Sequence, residues 1–282
     1  MRAGIEITSR CNLACPFCGY ATMERAKIDM PRSLWQPIFE DIRDNGHELR
    51  SMALYGEPLL SEQYIPALRY LAENVMYVTN AFYTNATLLT PKKTDELIES
   101  GFFNVHRRTR KVWLGLDTFD HEVYRRLRGG NWIETAENIE YFLDAGGRDL
   151  PGVAVQLMRT CLNEDESPEP MQDYFNCDIA VREVGRQFNK ANDMTVKAFE
   201  GDCRPDCREL WGTIWISSDG RATACCIDGE FEMSFGGFPG QSLQDLAGCA
   251  TLKDQRENFG KQNYDELTLC QRCHGDEPRG RR

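Results

Sequence analysis

Apolar and polar positions along residues 1–183 fall into short β-like runs separated by stretches with helical spacing. Gly4-Ile5-Glu6-Ile7-Thr8 reads as a first strand. Leu34, Trp35, Ile38, Phe39 and Ile42 then recur at the spacing of one helix face. Ser51-Met52-Ala53-Leu54-Tyr55 predicts a second strand, 62–73 a helix, and Val75-Met76-Tyr77-Val78-Thr79 a third strand. Pro91 opens a helix that Gly101 stops. A fourth strand is expected over 112–116, helices over 120–127 and 133–145, a fifth strand over 153–158 and a shorter sixth over 178–181. Such β/α alternation predicts a parallel sheet, open or barrel-like, with functional groups at the C-terminal ends of its strands.

Residues 185–202 are polar and without period, and predict a connector. Beyond them, 212–217 and 221–224 flank Ser218-Asp219-Gly220, and Asp-Gly between two short strands signals a hairpin. Glycine-rich 235–240 precedes two short helical patterns. The expected organisation is a domain over 1–184, the connector 185–202 and a small α+β domain over 203–282.

The chain has 282 residues, 33 Lys and Arg against 44 Asp and Glu, hence a net charge of −11. That length buries a core without covalent staples. No run of about 18 apolar residues exists, so no membrane partner is expected. The N-terminus has no apolar export segment, which points to the cytoplasm. In a reducing compartment, 12 cysteines indicate metal or redox chemistry rather than disulfides. The acidic balance argues against nucleic acid and suits a cationic substrate.

Cys11, Cys15 and Cys18 follow directly on the first strand. Three thiolates on one loop can hold three irons of a [4Fe–4S] cluster and leave the fourth iron open. A zinc knuckle lacking its fourth ligand is the alternative. This C-x3-C-x2-C loop resembles the hallmark of the radical S-adenosylmethionine (SAM) superfamily, and the likeness extends over residues 3–183. Gly56 and Glu57, preceded by Tyr55 where the family has glycine, resemble its G-G-E motif, which binds the SAM amino group. Thr84-Asn85-Ala86 resembles its T-N-G segment, and Asp117 ends the fourth strand where the family faces the SAM ribose. Phe17 resembles the aromatic residue beside the adenine. The resemblance thus implies a partial (β/α)6 TIM-like barrel, SAM as cofactor with Phe17, Gly56, Glu57, Asn85 and Asp117 around it, and a 5′-deoxyadenosyl radical that abstracts a substrate hydrogen.

Cys207, Cys225, Cys270 and Cys273 form a second set, which the hairpin at Gly220 and the final C-x-x-C bring together. It resembles the C-terminal twitch module, the shorter relative of the SPASM module, which holds an auxiliary [4Fe–4S] cluster. Cys203 or Cys226 is an alternative ligand, and a four-cysteine zinc site an alternative occupant. Cys270-Gln271-Arg272-Cys273-His274 also matches haem attachment, which requires export and is set aside.

Cys249 stands apart, at a break between two short helical patterns inside this module. If that loop faces the barrel mouth, its weak S–H bond suits it to quench a carbon radical. The family's aminoglycoside-tailoring members include carbinol dehydrogenases and an epimerase acting on neomycin C. The expectation is therefore an epimerase for a polycationic aminoglycoside, with Cys249 as hydrogen donor and flavodoxin or ferredoxin as electron donor. A dehydrogenase and a peptide-modifying enzyme are the alternatives; the latter often has an added N-terminal domain, for which ten residues before Cys11 leave no room. Glu6, Asp117, Asp228 and Glu230 are candidate carboxylates for substrate ammonium groups.

Overall fold

A computed structural model of the chain describes residues 1–74, 78–105, 111–184 and 207–272. The first part of the expected third strand, the charged run 106–110, the connector, and Cys203, Cys273 and His274 lie outside the described residues. Six strands with helices between them come first: β1 (Arg2–Ile5), α1 (Arg32–Asp44), β2 (Glu48–Ser51), α2 (Tyr64–Asn74), β3 (Val78–Thr84), α3 (Pro91–Glu99), α4 (Phe102–Val105), β4 (Lys111–Gly115), α5 (His121–Arg128), α6 (Trp132–Asp144), β5 (Val153–Arg159), α7 (Glu169–Phe175) and β6 (Asp178–Glu183). Then follow α8 (Arg208–Gly212), β7 (Thr213–Ile216), β8 (Arg221–Thr223), β9 (Gly236–Gly237), α9 (Leu243–Gly248), α10 (Ala250–Gly260) and α11 (Thr268–Arg272).

All nine strands join one sheet in the order β6-β5-β4-β3-β2-β1-β7-β8-β9. β1 to β6 are mutually parallel and form the expected partial (β/α)6 barrel. The C-terminal segment is fused to it: β7 pairs in parallel with β1, and β8 and β9 add antiparallel strands. The apolar face of α1 read from the sequence is buried in full, Trp35, Ile38, Phe39 and Ile42 being wholly inaccessible. On β4, Val112 and Leu114 are buried toward the helices, while alternation turns Trp113 to the other face. There Tyr83 meets it edge-on, with ring centroids 5.0 Å apart, and the Arg182 guanidinium lies 3.9 Å from its ring centre. No described helix is long and apolar enough to cross a membrane.

Three strands are displaced from their expected positions. β1 and β2 end earlier, at Ile5 and Ser51, because the apolar residues beyond them are buried in the loops at the strand ends, as Ile7, Met52 and Tyr55 are. β3 continues through Asn80 and Ala81 to Thr84. Both residues are poor strand formers, but pairing on both sides overrides local preference.

The β1–β7 junction requires Gly4. A Cβ there would lie 2.3 Å from Trp215 Cε3, inside a buried ring. Gly4→Ala is therefore expected to cost about 1–3 kcal/mol in chemical denaturation. Adding Trp215→Val should recover part of that loss; strictly additive effects would refute the contact as the cause.

Candidate active site

The loop leaving β1 carries Cys11, Cys15 and Cys18. The Cys18 amide donates to the Cys15 carbonyl at 2.9 Å. Tyr20 Oη donates to the Cys11 carbonyl at 3.0 Å and accepts from the Cys11 amide at 3.1 Å. The loop after β2 crosses this one in backbone contact: the Glu57 amide donates to the Arg10 carbonyl at 2.8 Å, and a Cβ on Gly56 would lie 2.1 Å from the Thr8 carbonyl oxygen. Burial raises all three thiols above their ordinary pKa, Cys18 to about 11, and the thiols repel one another's negative charge. Among the described residues, no three His, Cys, Asp or Glu side chains converge on one metal position. The donor chemistry nonetheless fits an iron–sulfur cluster: soft ligands on one loop, whose buried negative charge bound iron would offset.

The strand ends meet beside this loop. Glu57 is buried, and its carboxylate accepts from Leu59 N at 3.1 Å, Thr84 Oγ1 at 2.8 Å and Asn85 N at 2.7 Å. Burial raises its pKa, against which these three donors act. Asn85 Nδ2 donates to Asn12 Oδ1 at 3.0 Å and lies 3.8 Å from Cys11 Sγ. Ala86, where the related motif has glycine, adopts φ 60°. Asp117, wholly buried at φ 72°, accepts from Gln156 Nε2 at 3.1 Å and forms an ion pair with Arg128. Phe17 lies 5.7 Å from that guanidinium. Phe17, Glu57, Asn85 and Asp117 are thus assembled around the first cysteine loop, with Gly56 at the loop crossing.

Arg128 is the site residue that sequence reasoning missed. Read along the chain it is one of three arginines ending α5. In the fold its side chain is 10% exposed and reaches under the cysteine loop. Gly115 makes room for it, since a Cβ there would lie 2.5 Å from Arg128 Nη2. Burial would lower the guanidinium pKa, but Asp117 and Cys15 outweigh it and hold it raised; in turn Arg128 favours the Cys15 thiolate.

In the second set, burial pushes the Cys225 thiol well up, reinforced by the adjacent Cys226 and by Cys207. Cys207 and Cys270 both pack against the main hydrophobic core. These residues supply thiol ligands of the right type, with Cys226 adjoining. Cys249 caps the N-terminus of α10: its sulfur accepts from Leu252 N at 3.4 Å and lies 3.6 Å from the Phe235 carbonyl oxygen. Both partners belong to the C-terminal segment.

The candidate carboxylates for substrate are engaged inside the protein, which corrects that expectation. Glu6 is buried, 2.5 Å from Arg25 Nη2, and accepts from Ser218 Oγ at 3.2 Å. Asp228 is buried and accepts from Thr223 Oγ1 and from the Glu232 and Met233 amides. Glu230 accepts from the Glu24 and Arg25 amides at 2.7 and 3.0 Å. Glu6 and Glu230 fasten the loop before α1 to the hairpin, Asp228 braces the hairpin itself, and Asp117 is likewise engaged, by Arg128 and Gln156.

The radical SAM superfamily profile matches residues 5–168, and that of an iron–sulfur cluster-binding domain, SPASM, matches 207–274. Among curated relatives, an S-adenosyl-L-methionine-dependent 2-deoxy-scyllo-inosamine dehydrogenase of Niallia circulans is 28% identical over 99 residues, 34% of this chain and 40% of that protein. The chain spans less than half the length of the curated relatives it matches. Among solved structures, BtrN in complex with AdoMet and 2-DOIA is 15% identical, with a TM-score of 0.64 over 97% of this chain and 92% of that one. Streptococcus suis SuiB bound to precursor peptide SuiA is 18% identical, with a TM-score of 0.71 over 97% of this chain and 71% of that one. At these identities the structures establish the shared fold.

Two outcomes are expected. Arg128→Met strands the Asp117 carboxylate and should cost about 3–5 kcal/mol in denaturation of the cluster-free protein, much of it recovered when Asp117→Asn is added. Additive losses would rule out the pair. Anaerobic reconstitution should give about eight irons per chain, and Cys225→Ala about four. Zinc in place of the second four irons would refute the auxiliary cluster.

Proposed function

Because this chain belongs to the radical SAM superfamily, we propose that it inverts a sugar carbon of an aminoglycoside, in the manner of neomycin C conversion to neomycin B. When bound, SAM and the reduced cluster supply the 5′-deoxyadenosyl radical that removes one hydrogen from the substrate carbon. Phe17, Glu57, Asn85 and Asp117 form the polar and aromatic frame for that cofactor, and the cysteine loop holds the cluster. Cys249 returns a hydrogen atom from its S–H to the opposite face of the carbon. One electron and one proton then restore the thiol, the electron coming from the auxiliary site or from an external reductant such as flavodoxin or ferredoxin.

The observation that carries this reading is a half-buried Cys249 thiol placed outside both proposed ligand sets, within the cluster-bearing C-terminal segment. The chain's similarity to an inosamine dehydrogenase supports an aminocyclitol-related substrate. A second reading, oxidation of a carbinol to a ketone, is favoured by the cap at α10, which engages the Cys249 sulfur with Leu252 N.

Turnover in D2O with SAM, a strong reductant and a panel of aminoglycosides separates the two. Epimerisation through an exchangeable thiol gives an isomeric product about one mass unit heavier, and Cys249→Ala abolishes it. A product about two units lighter would establish dehydrogenation instead.

A further inference from the structure

Tyr55 stands where the related G-G-E motif carries glycine, and its ring lies between the two cysteine-bearing loops. One edge faces Gly19, the residue after Cys18: a Cβ on Gly19 would lie 2.9 Å from Tyr55 Cε1. The opposite edge faces the loop after Cys225 and Cys226: a Cβ on Gly229 would lie 3.2 Å from Tyr55 Cε2. The hydroxyl donates to the Ile227 carbonyl at 2.9 Å. Tyr55 is 8% exposed and clusters with Tyr20 and Met23, against which Cys11 and Cys18 also pack. One side chain of the barrel therefore touches backbone beside both cysteine sets, and a glycine on each side admits it.

We propose that Tyr55 is a positioning residue that couples the two iron–sulfur sites, its ring fixing the separation and orientation of the Cys18 loop relative to the Cys225–Cys226 loop. The proposal rests on both cysteine sets holding clusters. It assigns no redox change to the ring. Any one-electron transfer between bound clusters would balance between the clusters alone, one losing and the other gaining the electron, while the phenol keeps its proton and donates it in a hydrogen bond to the Ile227 carbonyl. What the ring contributes is packed contact across the gap and a fixed distance.

Neighbouring features are absorbed by the architecture and do not substitute for this contact. The hydrogen bond from Arg25 to the Gly229 carbonyl and the Glu230 carboxylate also join the two halves, but they fasten the loop at 24–25 rather than the cysteine loops themselves.

The test uses the full chain, reconstituted anaerobically, as wild type and as Tyr55→Phe, Tyr55→Leu and Tyr55→Gly. Iron and zinc are counted first. The reduced proteins are then compared by electron paramagnetic resonance for spin–spin interaction between the clusters, and by amide hydrogen exchange over residues 18–24 and 225–231. Tyr55→Phe keeps the ring and should keep the spin interaction. Tyr55→Gly should leave the iron count at about eight, alter the spin interaction and raise exchange in both loops together by about tenfold or more. If Tyr55→Gly does not fold, Tyr55→Leu, which lacks the ring and hydroxyl, serves the same comparison. Two loaded clusters with an unchanged spin interaction, or exchange that rises in only one loop, would overturn the role of Tyr55. Zinc in the second set would instead overturn the cluster reading on which it rests.

Discussion

The pairing of β1 on both of its edges is the constraint from which the candidate active site follows. Four residues, Arg2 to Ile5, hydrogen-bond to β2 on one side and to β7 on the other. β7 enters about two hundred residues after β1, yet joining such distant segments is not prohibitive: doubling a loop's length adds only about 0.6 kcal/mol of closure entropy. The return is positional. Because β7 runs parallel to β1, the turn after Ile216 opens at the same end as the cysteine loop after Ile5. Ser218 then reaches Glu6, Gly229 accepts the Arg25 side chain, and Tyr55 fits between glycines of both loops. Had β7 paired antiparallel, its turn would open at the other end of the sheet.

Around that junction the protein concentrates buried charge. Glu6 with Arg25, Asp117 with Arg128 and the triply bonded Glu57 all lie within or beneath the loops at the strand ends. Burying an ion costs several kcal/mol, and well-packed apolar residues often serve stability equally well. Asp117 and Ala86 also hold left-handed backbone, at roughly 1–2 kcal/mol each. Stability alone does not account for so many costs in one place. Orientation does: each carboxylate has more than one partner, so its direction is fixed, and Arg128 is held with its charge toward Cys15. Such departures from local preference are expected where a fold positions chemistry.

This pattern also explains which parts were legible in the sequence. The face of α1 needs only a period of 3.6, and Cys11, Cys15 and Cys18 need only spacing, so both could be read directly. The Ser218-Asp219-Gly220 turn was legible for the same reason, its geometry being local. The β1–β7 pairing was not, because two short apolar strands far apart carry no mark of which will meet. Nor was Arg128, whose partners Asp117, Cys15 and Phe17 come from other elements. Glu6, Asp228 and Glu230 show the converse limit. Residue type identified them as carboxylates, but their partners appear only in the fold: Ser218 for Glu6 and the Glu24 and Arg25 amides for Glu230 once the halves are joined, and Thr223 and two local amides for Asp228 once the hairpin closes.

Cys249 illustrates how packing can bear on chemistry. The preceding helix, α9, starts with a complete capping box in which Ser242 and Asp245 bond reciprocally. α10 starts instead with a thiol that accepts one amide at 3.4 Å. Sulfur is a weak acceptor, and serine or aspartate is the stronger N-cap. Capping therefore gives no physical reason for a cysteine at this position. A thiol differs from a hydroxyl there in being more apolar, and Cys249 packs against the main hydrophobic core; it also has a weaker bond to hydrogen. Packing uses the first property, and the proposed hydrogen-atom donor uses the second.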